Sequence, residues 1–172
     1  GNFFSLERAK RFDELLSKPL KQGGTFTGDQ TPVVNIVREP DTEVMLIALD
    51  TNLETEHPFD FACGEVGERQ LAALKTQLST APSDLPKIVF FHHHPFMHNN
   101  PFMELADGRL LMRALYNRVD VVCFGHKHVS RQWQNMNGIT FVLAADNAPG
   151  KDFAREISVV GQNISVADVR IS

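Results

Sequence analysis

"KIVFFHHHP" spans Lys87 to Pro95, and an apolar strand that runs straight into three histidines is the key to the fold. Three consecutive imidazoles do not suit a core, because each buried ring nitrogen needs a partner. The run is internal, so it is not a terminal tag. Working outward, two more apolar stretches end the same way. "VMLIAL", Val44–Leu49, reads as a strand buried on both faces and is followed by Asp50-Thr51-Asn52. "VDVVCF", Val119–Phe124, is followed at once by Gly125-His126-Lys127-His128. Between these strands lie two helical patterns. Glu68–Leu78 places Leu71, Leu74 and Leu78 at spacings of three and four, and Asp107 caps a helix through Arg118 with Leu111, Ala114 and Leu115 facing inward. The order strand–helix–strand–helix–strand predicts an α/β domain with a parallel sheet and helices on one face.

The flanks are less regular. Ser5–Ser17 reads as an amphipathic helix stopped by Pro19, and Val33–Val37 as a strand. "ITFVLAA", "REISVV" and "NISVADVRI" read as closing strands, the last two joined by a tight turn at "GQN". Such meandering strands predict a mixed sheet or a second sheet. No internal repeat or linker divides the 172 residues, so one domain over 1–172 is expected.

Composition narrows the function. A net charge of -4 argues against stable nucleic-acid binding, which usually needs a basic surface. No apolar run approaches the roughly 20 residues of a membrane span, and no signal peptide is legible. Cys63 and Cys123 do not form a disulfide framework, Cys123 reading as a small core residue, so a cytoplasmic setting is expected.

In open α/β sheets, ligands bind outside the carboxyl ends of the strands. If the three strands are parallel neighbours, their polar ends meet at one edge. Gly125 lets the chain turn off its strand, and in an extended segment residues two apart project to one side. His126 and His128 are thus expected to converge, with Lys127 turned away. Neutral imidazole suits manganese, iron and zinc alike, and a solvated loop is the plain alternative for two such histidines.

"HHHP" and "GHKH" in this order resemble the last two motifs of the calcineurin-like metallophosphoesterases, in particular the class III cyclic-nucleotide phosphodiesterase type. The run "LIALDTN", "GEVGERQLAALKTQL", "KIVFFHHHP" is similar to that family's strand, Gln-Leu helix and strand, and the likeness covers Val44–His128 and the closing strands. It implies that this is part of a four-layer α/β/β/α sandwich, with mixed and parallel sheets flanked by helices. It also implies metal ligation by His93, which stands two residues before Pro95, and by His126 and His128. Their ring nitrogens would then lie roughly 3–5 Å apart. His94 is implied as a substrate contact or a support of the ligands. His92 is left as a packed or hydrogen-bonded strand residue, and His57 and His98 as loop residues.

The resemblance implies two divalent ions (Mn, Fe or Zn), an activated water and a phosphoester substrate. Asp-x-His, Gly-Asp and Gly-Asn-His motifs, which precede these two in the family, are absent. Gly28-Asp29 follows no apolar strand, and Gly1-Asn2 is either a remnant of the third motif or a cloning remnant. The chain is therefore expected to be the C-terminal portion of the domain, with no catalytic acid assigned. A bare sheet face would then favour a homo-oligomer or a missing N-terminal segment. The alternative is a non-catalytic module that binds one metal or none.

Overall fold

The computed structural model describes residues 31–52, 63–96, 104–146 and 153–170, with Arg11, Glu14 and Leu15. The helix expected over Ser5–Ser17 falls, those three residues apart, outside the described residues, as do His57 and His98. The described elements are β1 (Val33–Glu39), β2 (Thr42–Ala48), α1 (Glu68–Thr80), β3 (Lys87–Phe90), α2 (Gly108–Leu115), β4 (Val121–Phe124), β5 (Arg131–Met136), β6 (Ile139–Ala144), β7 (Phe153–Val160) and β8 (Asn163–Arg170).

Six strands form one sheet in the order β1-β2-β3-β4-β6-β5. β2, β3 and β4 are parallel neighbours, as the alternation with helices predicts; β6 adds a fourth parallel strand beside β4, and β1 and β5 pair antiparallel at the edges. Parallel pairing sends β2, β3 and β4 toward the same edge, so their polar ends arrive together.

Period-two alternation divides the sheet residues between two cores. Ile47, Val89, Val122 and Val142 pack with Leu71, Leu74 and Leu78 of α1 and Leu111 and Leu115 of α2. Their neighbours Val44, Ile88, Val121 and Leu143 point the other way, onto Ile157, Val159, Ile164 and Val166 of the β7–β8 hairpin. This is an α/β fold with helices on one face of a mixed sheet and a two-stranded sheet on the other.

The hairpin corrects the expectation of a bare sheet face. Each of its strands alternates apolar and polar residues, and the apolar side closes over the sheet, burying Val121 and Leu143. Leu46, Phe90, Cys123 and Phe141 remain half-buried on that face. Arg155 fastens one end of the hairpin. It donates to Asp168 Oδ1 at 2.9 Å, to the carbonyls of Arg131 and Ala144 at 3.0 and 3.1 Å, and to Ser130 Oγ at 2.8 Å. Thr42 Oγ1 holds the other end, accepting the Gly161 N–H at 3.2 Å. Gly161, at φ 58°, opens the two-residue turn expected there.

Asp107 is the N-cap of α2, but its carboxylate makes no cap bond to that helix. It crosses to the start of α1 and accepts the N–H groups of Val66 and Gly67 at 3.0 and 2.9 Å. A carboxylate there also complements the positive end of the α1 dipole. One side chain thus ties the start of α2 to the start of α1.

Candidate metal centre

Thr51 follows β2 and is 1% exposed. The chain is held there by Gln70 of α1, itself buried. Its amide oxygen accepts the Asp50 N–H at 2.9 Å, and its amide nitrogen donates to the Asp50 carbonyl at 2.7 Å and the Val66 carbonyl at 3.0 Å. Glu65 N–H donates to the Thr51 carbonyl at 3.1 Å, drawing the segment before α1 against the same edge. Within that segment Gly64 lies so close that a Cβ on it would stand 2.3 Å from His93 Nδ1 and 2.5 Å from the Thr51 carbonyl. Only glycine fits this approach.

β3 ends at Phe90, and the next turns are stitched to β4. Phe91 N–H donates to the Cys123 carbonyl at 3.1 Å, and Gly125 N–H to the His92 carbonyl at 3.0 Å. These bonds bring His92 and His93 beside His126. The His93 and His126 ring centroids are 4.5 Å apart, those of His92 and His126 4.8 Å, and those of His92 and His93 5.0 Å. His126 Nδ1 and His92 Nε2 lie 2.9 Å apart. One ligand nitrogen from each of the three falls within 4.8 Å of the others.

Two of the residues expected at the site, His93 and His126, therefore meet. The third member of the group is His92, which the sequence left as a packed or hydrogen-bonded strand residue; it lies beyond the end of β3, is exposed, and is hydrogen-bonded to His126. His128 is exposed and outside the group. The physical reason is the backbone. His126 has φ 72° and His128 φ 50°, so the segment is left-handed rather than extended, and the two-residue rule does not apply across it. Gly125 does not carry the positive φ; the histidines do.

His94 is 5% exposed and packs among rings: Phe124 at 4.7 Å, Phe96 at 5.5 Å and Trp133 at 6.3 Å. Its Nδ1 accepts the Phe96 N–H at 3.2 Å. Lys127 is not part of the cluster; its ammonium meets the buried Glu104 carboxylate at 2.5 Å. That pair ties the His126 loop to Glu104, four residues before α2.

Electrostatics favour the ligand form of histidine. Burial, and then the neighbouring His126 and His92, push the His93 pKa down to about 4. The ring is neutral at pH 7, as metal binding requires. His93 Nδ1 lies 2.8 Å from Thr51 Oγ1. With Nδ1 protonated and donating to that oxygen, Nε2 keeps its lone pair, an arrangement typical of metal-ligating histidines. Ligands at about 2.1 Å stand roughly 3.0 Å apart when cis on an octahedral ion and 3.4 Å on a tetrahedral one. The 2.9 Å between His92 and His126 needs little adjustment to match. The donor set thus fits a divalent ion. Among the described residues no carboxylate joins the group. Asp50 Oδ1 is taken up by the Asn52 N–H at 2.9 Å.

No family model and no curated protein matches the sequence. Among solved structures the chain is similar to a "Putative 5'-Nucleotidase from Staphylococcus aureus in complex with alpha-ketoglutarate", with 17% identity and a TM-score of 0.45. That match covers 80% of this chain and 29% of the other, so the chain spans less than a third of its length.

Proposed function

We propose that this chain is the C-terminal portion of a metal-dependent phosphoester hydrolase and that His92, His93 and His126 hold one divalent ion of its centre. The observation that carries the reading is the gathering of three imidazole donors within 4.8 Å at the ends of β3 and β4. The likeness of "HHHP" and "GHKH" to metallophosphoesterase motifs supports it and supplies the substrate class. On the family pattern His128, outside the cluster, belongs to a second ion. His94, among its aromatic rings, supports the loop from beneath.

A bound divalent ion would supply charge to polarise a phosphoryl oxygen and to acidify water. The chain's own residues do the rest. Thr51 and Gly64 confine the His93 ring, and the burial of that ring excludes water from one side of the site. The Glu104–Lys127 pair holds the loop that presents His126. Phosphomonoester, phosphodiester and cyclic nucleotide all fit this chemistry. A second segment or copy would bring the carboxylates and the acid.

One observation favours a second reading, a metal-binding module without catalysis: no carboxylate joins the cluster among the described residues. One experiment separates the two. The whole chain, His126→Ala and His93→Ala are titrated with Mn²⁺ and Zn²⁺ by calorimetry and assayed with an aryl phosphodiester and an aryl phosphomonoester. Binding lost in both variants together with metal-dependent turnover supports the hydrolase. Binding lost in both variants without turnover supports the module, and no binding by the whole chain overturns both.

A further inference from the structure

The side chain that fixes the chemistry of His93 lies beyond the end of the neighbouring strand, β2. Thr51 Oγ1 sits 2.8 Å from His93 Nδ1 and also accepts the His93 backbone N–H at 3.4 Å. Thr51 is itself fully enclosed. Its position is set by two elements that do not touch the histidines through their side chains. Gln70 of α1 clamps the preceding Asp50 backbone on both its N–H and its carbonyl, and Glu65 N–H holds the Thr51 carbonyl. Gly64 closes the remaining space beside Nδ1 and Cγ of His93. Among the described residues, the polar group hydrogen-bonded at Nδ1 is Thr51 Oγ1, on a backbone held at both Asp50 and Thr51.

We propose that Thr51 is a positioning residue for the candidate metal centre: its hydroxyl accepts the Nδ1 proton of His93 and so commits Nε2, with its lone pair, to the ligand. The inference rests on the metal-centre reading but makes a claim that can be read in the metal-free protein. A neutral imidazole has two tautomers, and only a hydrogen-bond partner at one nitrogen decides between them. Without that partner the proton is free to sit on Nε2, where it blocks the metal. Partners of this kind are worth roughly 10–100-fold in metal affinity.

The test uses Thr51→Val, which keeps the shape and removes the hydroxyl, Thr51→Ser, which keeps the hydroxyl, and Thr51→Ala in case valine does not fold. Two quantities are read on each. The first is the His93 tautomer in the metal-free chain at pH 7.5, from imidazole ¹⁵N shifts. The second is the dissociation constant for Mn²⁺ and Zn²⁺ by calorimetry. Wild type and Thr51→Ser are expected to show the Nδ1–H tautomer and similar affinity. Thr51→Val and Thr51→Ala are expected to lose the tautomer preference and to bind metal 10–100-fold more weakly. An unchanged tautomer in the hydroxyl-free variants overturns the proposal, as does unchanged affinity in a chain that binds metal. If the wild type binds no metal, the metal-centre reading fails by itself. The tautomer comparison still decides the role of Thr51: a shift on removing the hydroxyl supports it, and no shift overturns it.

Discussion

Gly64→Ala adds one methyl group where there is no room for it. An ideal Cβ at this position would lie 2.3 Å from His93 Nδ1, 2.4 Å from His93 Cγ and 2.5 Å from the Thr51 carbonyl oxygen. Contacts of this kind are not tolerated below about 3.0 Å, so at least roughly 0.5 Å must be found on two sides at once. One obstacle is backbone and the other is the root of a ring, so neither yields by a simple rotamer change. Segment 63–67 cannot easily retreat, since Gly64 N–H is bonded to the Glu104 carbonyl and Ala106 N–H to the Gly64 carbonyl. Overpacking of this type costs about 1–3 kcal/mol. For a chain of this size that lowers Tm by roughly 3–10 °C. Because the displaced ring is His93, metal affinity should fall with it, by about tenfold or more. Thermal unfolding followed by circular dichroism, with and without Zn²⁺, measures both effects. Gly64→Ala with the wild-type Tm and the wild-type metal-induced shift would refute the close approach of Gly64 to His93, and with it the account of how the ring is held.

Three further outcomes follow from the same geometry. His93 has a native pKa of about 4 against an ordinary value of 6.5, so the unfolded chain takes up the proton more readily between those values. Stability of the metal-free chain should therefore fall as pH drops through this window, by about 3 kcal/mol once below pH 4. Urea unfolding at a series of pH values checks this, and His93→Gln should remove that part of the loss. Arg155→Met strips the hairpin of its polar anchor, and about 2 kcal/mol is expected to go with it. Amide exchange should quicken across β7 and β8 while β3 and β4 keep their protection; uniform quickening would mean the hairpin is not a separate unit. Burial pushes the Cys123 thiol up to about 11, the neighbouring Arg155 only partly opposing it. A disulfide reagent at pH 8 should react with Cys123 in the native Cys63→Ser chain about 100-fold more slowly than in the same chain denatured.

How much of this was legible follows from which rules the backbone obeys. Runs of apolar residues ending in Asp-Thr-Asn, His-His-His and Gly-His-Lys-His were enough to place three parallel strands and to bring their ends to one edge, because regular strands keep the period on which that reading depends. β5 escaped notice. Only Trp133 and Met136 of its six residues turn even partly inward, so an edge strand of this kind carries no alternation to read. Its signal lay in the turn instead. Asn137 and Gly138, at φ 53° and 66°, form the two-residue connection that joins Met136 to Ile139, and Asn-Gly is the dipeptide such a turn favours.

The site shows the opposite limit. The order of strands determines that histidines after β3 and β4 will be close, but not which of them meet. That choice is made beyond the last paired residues, Phe90 and Phe124, where alternation no longer holds. Left-handed backbone at His126 and His128 costs on the order of 1 kcal/mol each, so their own sequence gives no reason to expect it. The left-handed segment is held by contacts to distant parts of the chain, the Gly125–His92 backbone bond and the Lys127–Glu104 pair, while the Thr51 hydroxyl holds His93. Strain of this kind persists where surrounding structure over-determines it, which is common at functional sites. Each of these contacts joins segments at least 23 residues apart, so the short motif around each histidine does not carry the information that selects His92 over His128.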